Sequence, residues 1–333
     1  MENSFDFLAV GDIAVDAFIR LKDVAVHNAC RIDNNASELC LPFGGKVPYD
    51  FVKIVYAEGN CANACVCVSR LGLKTALISD MGKDEAGEKC LKSLIGNGVN
   101  TKYVEMKESK RTSYHYVLWY GDDRTILTKH EPFPYKLPSG PAPKWLYLTS
   151  LAEDSIPFHN EVYEYLLSHG ETKLAFQPGT FQIKIGVDKL RNIYKKTEVF
   201  ICNLEEAQTI LKTDELDPKI LLKRISMLGP KIVVITNGSM GAYLYDGKDL
   251  WFMPTYPDDK PPYERTGAGD AFASTFISAL AIGKTPIEAL AWGPINSMSV
   301  IQKIGAQEGL LTRAQLEEVL KKAPASYKEV KLN

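Results

Sequence analysis

The chain has 333 residues, 45% of them hydrophobic, and a formal net charge of −2. That is enough apolar material for a large core, in one big α/β domain or two smaller ones. The near-neutral charge, with no long basic run, gives nucleic-acid binding no electrostatic support, and the longest apolar runs, such as Lys231-Ile232-Val233-Val234-Ile235, have strand length and argue against a membrane span.

The N-terminal Met1-Glu2-Asn3-Ser4-Phe5-Asp6 is acidic and turns directly into a strand pattern, so no signal peptide is visible and a cytoplasmic location is expected. Short apolar strands are expected at 7–10, 75–79, 145–149, 174–177, 199–202 and 232–236. Amphipathic helices are expected at 62–71, 85–96, 157–168, 204–211, 218–228, 271–282 and 286–303. Such alternation predicts a mostly parallel sheet covered on both faces. Two stretches break the rhythm. Residues 16–56 read as extended pieces around Gly44-Gly45 and Pro48, and in 111–128 Tyr114, Tyr116, Leu118 and Tyr120 alternate ahead of a turn at Gly121-Asp122-Asp123. Together they predict a small antiparallel sheet standing off the main one as a lid, with the proline-rich 132–143 leading back to the core.

The densest chemical signal is Arg265-Thr266-Gly267-Ala268-Gly269-Asp270-Ala271-Phe272. Phe272, Phe276 and Leu280 follow at i, i+4, i+8, one apolar face of a helix whose first turn is glycine and alanine. The amide hydrogens there have no intrahelical partner, and the helix end favours an anion that glycine lets approach closely. Beside a bound phosphate, Asp270 would be a poor ligand but a good proton acceptor for an attacking hydroxyl. A tight turn with ordinary dipole compensation by the aspartate accounts for the segment equally well. A dinucleotide fingerprint does not fit, because Phe272 stands at its third glycine position. A P-loop does not fit Gly283-Lys284-Thr285 either, since Ser278 occupies the required first glycine position and the segment ends a helix.

Other polar residues fall where the predicted strands end. Asp16 follows the first strand, in the crevice where open α/β sheets bind ligands. Gly59, Asn60 and Asn63 open the first long helix, and asparagine can both donate to and accept from hydroxyls. Asn203 and Glu206 open another helix, and Thr236, Gly238 and Gly241 follow a third strand. Each has a plainer reading: Asn60 as a helix cap, Asn203 and Glu206 as a capping box, the glycines as turns, Asp16 as a solvated acid. The seven cysteines include no Cys-x-x-Cys and the five histidines no ligand-spaced pair, so the cysteines read as small buried hydrophobes and zinc is not expected.

The ordered set of these motifs resembles the ribokinase-like sugar kinases, the PfkB carbohydrate kinase family, over essentially the whole chain from Gly11 to about Leu320. Gly267-Ala268-Gly269-Asp270 is its most specific part. The resemblance implies a single ribokinase-like domain over 1–333, a three-layer α/β/α sandwich with a β-sheet lid that often mediates homodimerisation. It implies transfer of the ATP γ-phosphoryl group to a hydroxyl of a small sugar. Asp270 would be the base and Gly267, Ala268 and Gly269 the anion hole. Asp16, Gly59, Asn60 and Asn63 would hold substrate hydroxyls. Asn203 and Glu206 would organise phosphates and Mg²⁺ through water, Thr236, Gly238 and Gly241 would line the nucleotide site, and Asn296 would lie near the adenine.

Three departures stand out. Glu264-Arg265 precede Thr266 where the family usually has Asp-Thr, which leaves open the monovalent-cation site of some members and could set a guanidinium beside the phosphates. Glu58 replaces the first glycine of a usual Gly-Gly pair, and Gln177-Pro178-Gly179 stands where an acid followed by Pro-Asn is common. Besides a sugar kinase, the same fold could take a nucleoside, with Tyr114, Tyr116 or Trp119 stacking its base, or serve as a non-catalytic sensor, against which an intact Asp270 argues. Arg20, Lys46 and Arg111 in the lid segments could meet the second phosphate of a phosphosugar.

Overall fold

The computed structural model describes residues 4–22, 30–32, 36–121, 123–258 and 260–332. The main sheet starts with β1 (Phe7–Val10), four buried residues that alternate between two cores: Phe7 and Ala9 point to one face, Leu8 and Val10 to the other. On one side of it lie β6 (Thr75–Gly82) and β7 (Asn100–Lys107). On the other lie β10 (Trp145–Leu148), β11 (Lys173–Phe176), β12 (Thr197–Asn203) and β13 (Ile232–Thr236). All of these neighbours pair in parallel. An antiparallel extension follows in β14 (Ala242–Tyr245), β15 (Leu250–Met253) and β16 (Val330–Leu332), giving ten strands in the order β16-β15-β14-β13-β12-β11-β10-β1-β6-β7.

Helices cover both faces, as the alternation of strand and helix predicts. One face carries α1 (Asn60–Arg70), α2 (Glu85–Gly96), α8 (Ala268–Ala281), α9 (Pro286–Val300) and α10 (Arg313–Lys321). The other carries α3 (Ile156–Ser168), α5 (Val187–Lys196), α6 (Leu204–Leu211) and α7 (Pro218–Ser226), with the short α4 (Thr180–Ile185) beside them. Asp84 caps α2 by accepting from the Gly87 N–H, and Thr285 and Glu288 form a capping box on α9. Gly283-Lys284-Thr285 is therefore the turn between two helices, with Gly283 at φ +92°, and not a phosphate loop.

The second sheet is the expected lid: β5 (Tyr49–Glu58), β2 (Ala14–Leu21), β8 (Ser113–Tyr120) and β9 (Asp123–Leu127), in that order. It is not purely antiparallel, since β2 and β8 pair in parallel with Asp16 opposite His115. A short hairpin of β3 (Cys30–Ile32) and β4 (Ala36–Glu38) interrupts the first lid segment, whose residues 23–29 and 33–35 lie outside the described residues, as does Asp122 of the expected turn. β7, α4, α5, β14, β15, β16 and α10 are additions to the sequence reading, and α8 starts at Ala268, one turn earlier than expected.

Candidate active site

The first turn of α8 is shaped by glycine. Gly267 caps the helix at φ +80°, and a Cβ there would lie 2.1 Å from Ala306 Cβ, so no other residue fits without displacing that segment. Gly269 differs: a Cβ would meet nothing within 4 Å, because its face opens outward. The turn is braced from behind. Glu264, fully buried, accepts on Oε1 from the Thr266 N–H at 2.9 Å and the Thr266 hydroxyl at 2.7 Å, and Ser297 Oγ donates to the Ala268 carbonyl at 2.7 Å. Of the early amide hydrogens of α8, that of Ala268 makes a long contact to the Arg265 carbonyl at 3.5 Å and that of Ala271 bonds the Gly267 carbonyl at 2.8 Å.

Both oxygens of Asp270 are held. Asn60 Nδ2 donates to Oδ1 and Asn63 Nδ2 to Oδ2, each at 2.9 Å, and Gln177 Nε2 adds a longer contact to Oδ1 at 3.4 Å. The asparagines reach it because α1 follows directly on β5 through Gly59, where φ of +108° and a Cβ only 2.5 Å from the Asp12 carbonyl exclude a side chain. Gln307 Nε2 fixes Asn63 through its Oδ1 at 3.0 Å, and the buried Tyr147 hydroxyl fixes Gln177. Burial lifts the Asp270 carboxyl above the usual carboxylate range, the three amides pull it back, and the nearby Asp16 charge adds to the lift. The outcome is a carboxylate oriented like a general base and more basic than an ordinary aspartate.

Further acids and two imidazoles lie at the end of β1. His115 Nδ1 is 3.1 Å from Asp16 Oδ1. Tyr135 donates to Asp12 Oδ1 at 2.6 Å, and His130 Nδ1 lies 3.4 Å from Asp12 Oδ2 without the alignment of a hydrogen bond. The two imidazole rings meet edge to face at 5.0 Å. Glu58 is entirely buried and accepts from the Ala306 N–H at 3.3 Å; burial and the charges of Asp16, Asp270 and Glu264 hold its carboxyl well above the usual range. None of Asp12, His115, His130 or Tyr135 belongs to a motif, and only their convergence in space marks them.

The lid closes on the loop that feeds α8. Trp119 is buried between Phe51 and Tyr263, and Arg20 stacks over its ring at 4.3 Å while donating to the Gly121 carbonyl. Arg124 Nε approaches Glu264 Oε1 at 3.9 Å. Tyr114 and Tyr116 flank His115 and so face the other way, packing on each other at 5.2 Å over a groove of about 470 Å³ shared with Asp84 and Arg111. The aromatic residues proposed to stack a base are therefore turned outward or sealed in packing. Of the lid cations proposed for a second phosphate, Arg20 serves the lid tip, Arg111 borders the outer groove and Lys46 is exposed.

The glycine and asparagine motifs meet at the ends of β12 and β13. Asn203 and Glu206 form a capping box, each bonding the other's amide at 2.8 Å, so the plainer reading of that pair is realised. Burial still raises the Glu206 carboxyl, and the Asp270 charge contributes. Thr236 ends β13; Gly238 at φ +50° would carry a Cβ into open space, whereas Gly241 at φ +94° would drive one to 2.4 Å from the Met253 carbonyl. Open space at Gly238 and Gly269 is what a nucleotide laid along these strand ends requires. Asn296 is fully buried instead, donating to Thr275 Oγ1 at 2.8 Å and accepting from the Leu311 N–H at 2.9 Å. Its side-chain amide is thus engaged in tying α9 to α8 and to the backbone of Leu311.

Residues 55–313 match the model of the pfkB family carbohydrate kinases. The chain belongs to that family. It is 26% identical over 307 residues to the ribokinase of Bacillus subtilis (strain 168), covering 90% of this chain and 100% of that one. To the 5-dehydro-2-deoxygluconokinase of Geobacillus kaustophilus (strain HTA426) it is 27% identical over 319 residues, covering 89% and 92%. Among solved structures, Arabidopsis thaliana ribokinase complexed with ribose and ATP superposes with a TM-score of 0.74 at 18% identity, over 96% of this chain and 99% of that one.

This PfkB protein is an ATP-dependent carbohydrate kinase with a ribokinase-like fold. Against that background its own departures become readable. Glu58 has folded inward onto Ala306 rather than reshaping the surface of the substrate loop. Gln177 reaches Asp270 as a neutral amide. Asn60 and Asn63, expected to hold substrate hydroxyls, hydrogen-bond Asp270.

Proposed function

We propose that Asp270 takes the proton from a sugar hydroxyl as that hydroxyl attacks the γ-phosphorus of ATP, in line, with the amides of Gly267, Ala268 and Gly269 receiving the transferred phosphoryl oxygens. The observation that carries this is the position of Asp270 in the first turn of α8, both oxygens oriented by Asn60 and Asn63, next to the open face of Gly269. Asn60 and Asn63 act through that orientation and Asp16 through acceptor hydroxyls, while Gly59 lets α1 start close enough for them to reach. Thr236, Gly238 and Gly241 would line the nucleotide site. Asn296 would act on it through the backbone of residue 311. Glu206, whose Oε2 is committed to the Asn203 amide, would offer Oε1 to water around Mg²⁺, and that ion would neutralise phosphate charge. Arg265 is exposed at the same turn, within reach of phosphates.

The outer lid face exposes Val52, Ile54, Tyr116 and Leu127, an apolar surface that suits a homodimer formed lid to lid. No helix of the described residues is long and apolar enough to cross a membrane, which accords with a cytoplasmic enzyme. The test is coupled ADP release with Mg·ATP over hexoses, pentoses, sugar phosphates and nucleosides, with Asp270→Asn beside it. An acceptor whose turnover drops about 10²–10⁴-fold in the variant supports the assignment; undiminished turnover would end it.

A further inference from the structure

Tyr147 carries a hydroxyl where its strand has no packing need of one. In β10, Leu146 and Leu148 give only apolar atoms to one core, whereas Tyr147 faces the other and is completely buried. Its ring packs on Phe7 with centroids 5.1 Å apart, a contact that phenylalanine would make as well. A buried hydroxyl costs stability unless it is bonded. This one donates to Gln177 Oε1. The sheet makes the pairing: Tyr147 stands beside Ala175 in the parallel register of β10 and β11, and Gln177, two residues on, points to the same face.

Gln177 is held through its backbone too. Its N–H bonds the Leu148 carbonyl at 3.0 Å. The Gly179 N–H bonds Gln182 Oε1 at 2.7 Å, and the buried Gln182 gives its own amide to the Thr149 carbonyl at 2.8 Å. A Cβ on Gly179 would fall 2.3 Å from Ser150 Oγ, so the loop after β11 is fitted closely to the loop after β10. What remains of Gln177 is Nε2, directed at Asp270 Oδ1 at 3.4 Å. Catalytic contacts are often long before substrates arrive.

The amide has two orientations in this slot. As it stands, the Tyr147 hydroxyl gives to its carbonyl and its NH2 gives to the carboxylate. Turned over, the carbonyl would face the carboxylate, and the hydroxyl would meet an NH2 that accepts nothing. The choice matters because the groups whose charge reaches Asp270 are all acids: Asp16 on β2, Glu58 on β5, Cys61 on α1, Tyr147 on β10 and Glu206 on α6. Its donors are three neutral amides, Asn60, Asn63 and Gln177.

We propose that Tyr147 is a positioning residue for the phosphoryl transfer, its hydroxyl turning the Gln177 amide so that an N–H, and not the carbonyl, faces Asp270 Oδ1. This rests on the kinase site proposed above and adds to it a residue that acts on the base through Gln177.

The experiment compares Tyr147→Phe, Gln177→Met and the double variant with the wild type. The kcat of each is followed against pH with the acceptor that the ADP-release panel identifies. Melting temperature is followed against pH for each protein and for its Asp270→Asn counterpart, and the difference reads the Asp270 carboxyl without turnover. Tyr147→Phe should lower kcat about tenfold with both KM values nearly kept. Loss of an N–H donor favours the protonated carboxyl, so the acid limb should move up by about half a pH unit or more. Gln177→Met should do the same, and the double variant no more than either alone. With both partners apolar, the double variant should regain melting temperature while its acid limb stays displaced. An acid limb unmoved in Tyr147→Phe, or one that returns as the double variant regains stability, overturns the proposal, as do losses in kcat that multiply. Undiminished turnover in Asp270→Asn would sink the base assignment, and the melting difference would still decide whether Tyr147 turns Gln177 onto that carboxyl.

Discussion

Two sides of Asp270 are built from opposite materials. Where the proposed mechanism sets the phosphates, the chain presents bare backbone, with Gly267, Ala268 and Gly269 at a helix end and Gly238 at a strand end. Toward the acceptor it presents side chains in depth: Asp12, Asp16, His115 and His130, each held by a neighbour or packed on one. The phosphate side needs only N–H groups and room, which any sugar kinase of this plan requires. The acceptor side needs a particular pattern of donors and acceptors, so it is where one kinase departs from another.

The largest effect expected is at the boundary itself. Asp270→Asn keeps the shape and the contacts with Asn60 and Asn63 in altered form but removes the base, and kcat should fall about 10²–10⁴-fold with ATP affinity little changed. Because burial raises the Asp270 carboxyl from its ordinary 3.8, the acid limb of wild-type kcat/KM against pH should lie above that value. Below its pKa the group is protonated and cannot accept the hydroxyl's proton. An acid limb at or below 3.8 would place the base elsewhere.

A pair of glycine substitutions sharpens the phosphate side. Gly267→Ala forces a methyl to within 2.1 Å of Ala306 at a left-handed φ, and should destabilise the protein by roughly 2–4 kcal/mol in denaturant melts. Gly269→Ala meets no protein atom within 4 Å and should leave stability unchanged or slightly raised, yet in the proposed mechanism its methyl would enter the phosphate's place, so KM for ATP should rise about tenfold. Equal losses of stability in both variants would contradict the geometry.

How much of this was legible beforehand follows the same division. The phosphate side is local in sequence. Gly267 to Asp270 is contiguous, and the apolar stripe of Phe272 and Phe276 announces the helix that carries it. The parallel strands were legible because burial on both faces makes them continuous apolar runs, whereas the edge strand β7 mixes polar and apolar residues and was missed. The acceptor side is assembled from afar. His115 and His130 are separated from Asp12 and Asp16 by about a hundred residues, and no spacing rule connects them; only the parallel register of β2 and β8 brings Asp16 and His115 together. Asn60 and Asn63 were found on the right turn of helix, but their bonds to Asp270 had no signal, since sequence shows which atoms can hydrogen-bond and not which partner is nearest. Arg124 had no signal at all.

That arginine supplies the next test. It joins the lid to the loop leading into α8 through Glu264, whose second oxygen is buried without a hydrogen-bond partner. Arg124→Gln should lower stability by about 1 kcal/mol, since it removes the nearest cation from a buried carboxylate but is itself partly solvated. In a double-mutant cycle with Glu264→Gln the two changes should couple by a similar amount. Additive losses would mean that the lid rests on the loop through Trp119 and Tyr263 alone.

The smallest effect sits behind the acceptor side, at Glu58. Its carboxyl is held well above its ordinary 4.5 by burial and by Asp16, Asp270 and Glu264, so the folded protein binds that proton more tightly than the unfolded chain does. Stability from this group is then complete below pH 4.5 and is lost as pH rises toward and through the folded value. Glu58→Gln keeps an acceptor for the Ala306 amide and a donor in place of the acid proton, and it has no proton to lose. Melting temperatures of the two proteins should therefore be close at acid pH, with the variant gaining on the wild type as pH rises above 4.5. A gap that shrinks or stays constant with pH would show that Glu58 is carried as a carboxylate. The acceptor side would then hold one more buried negative charge.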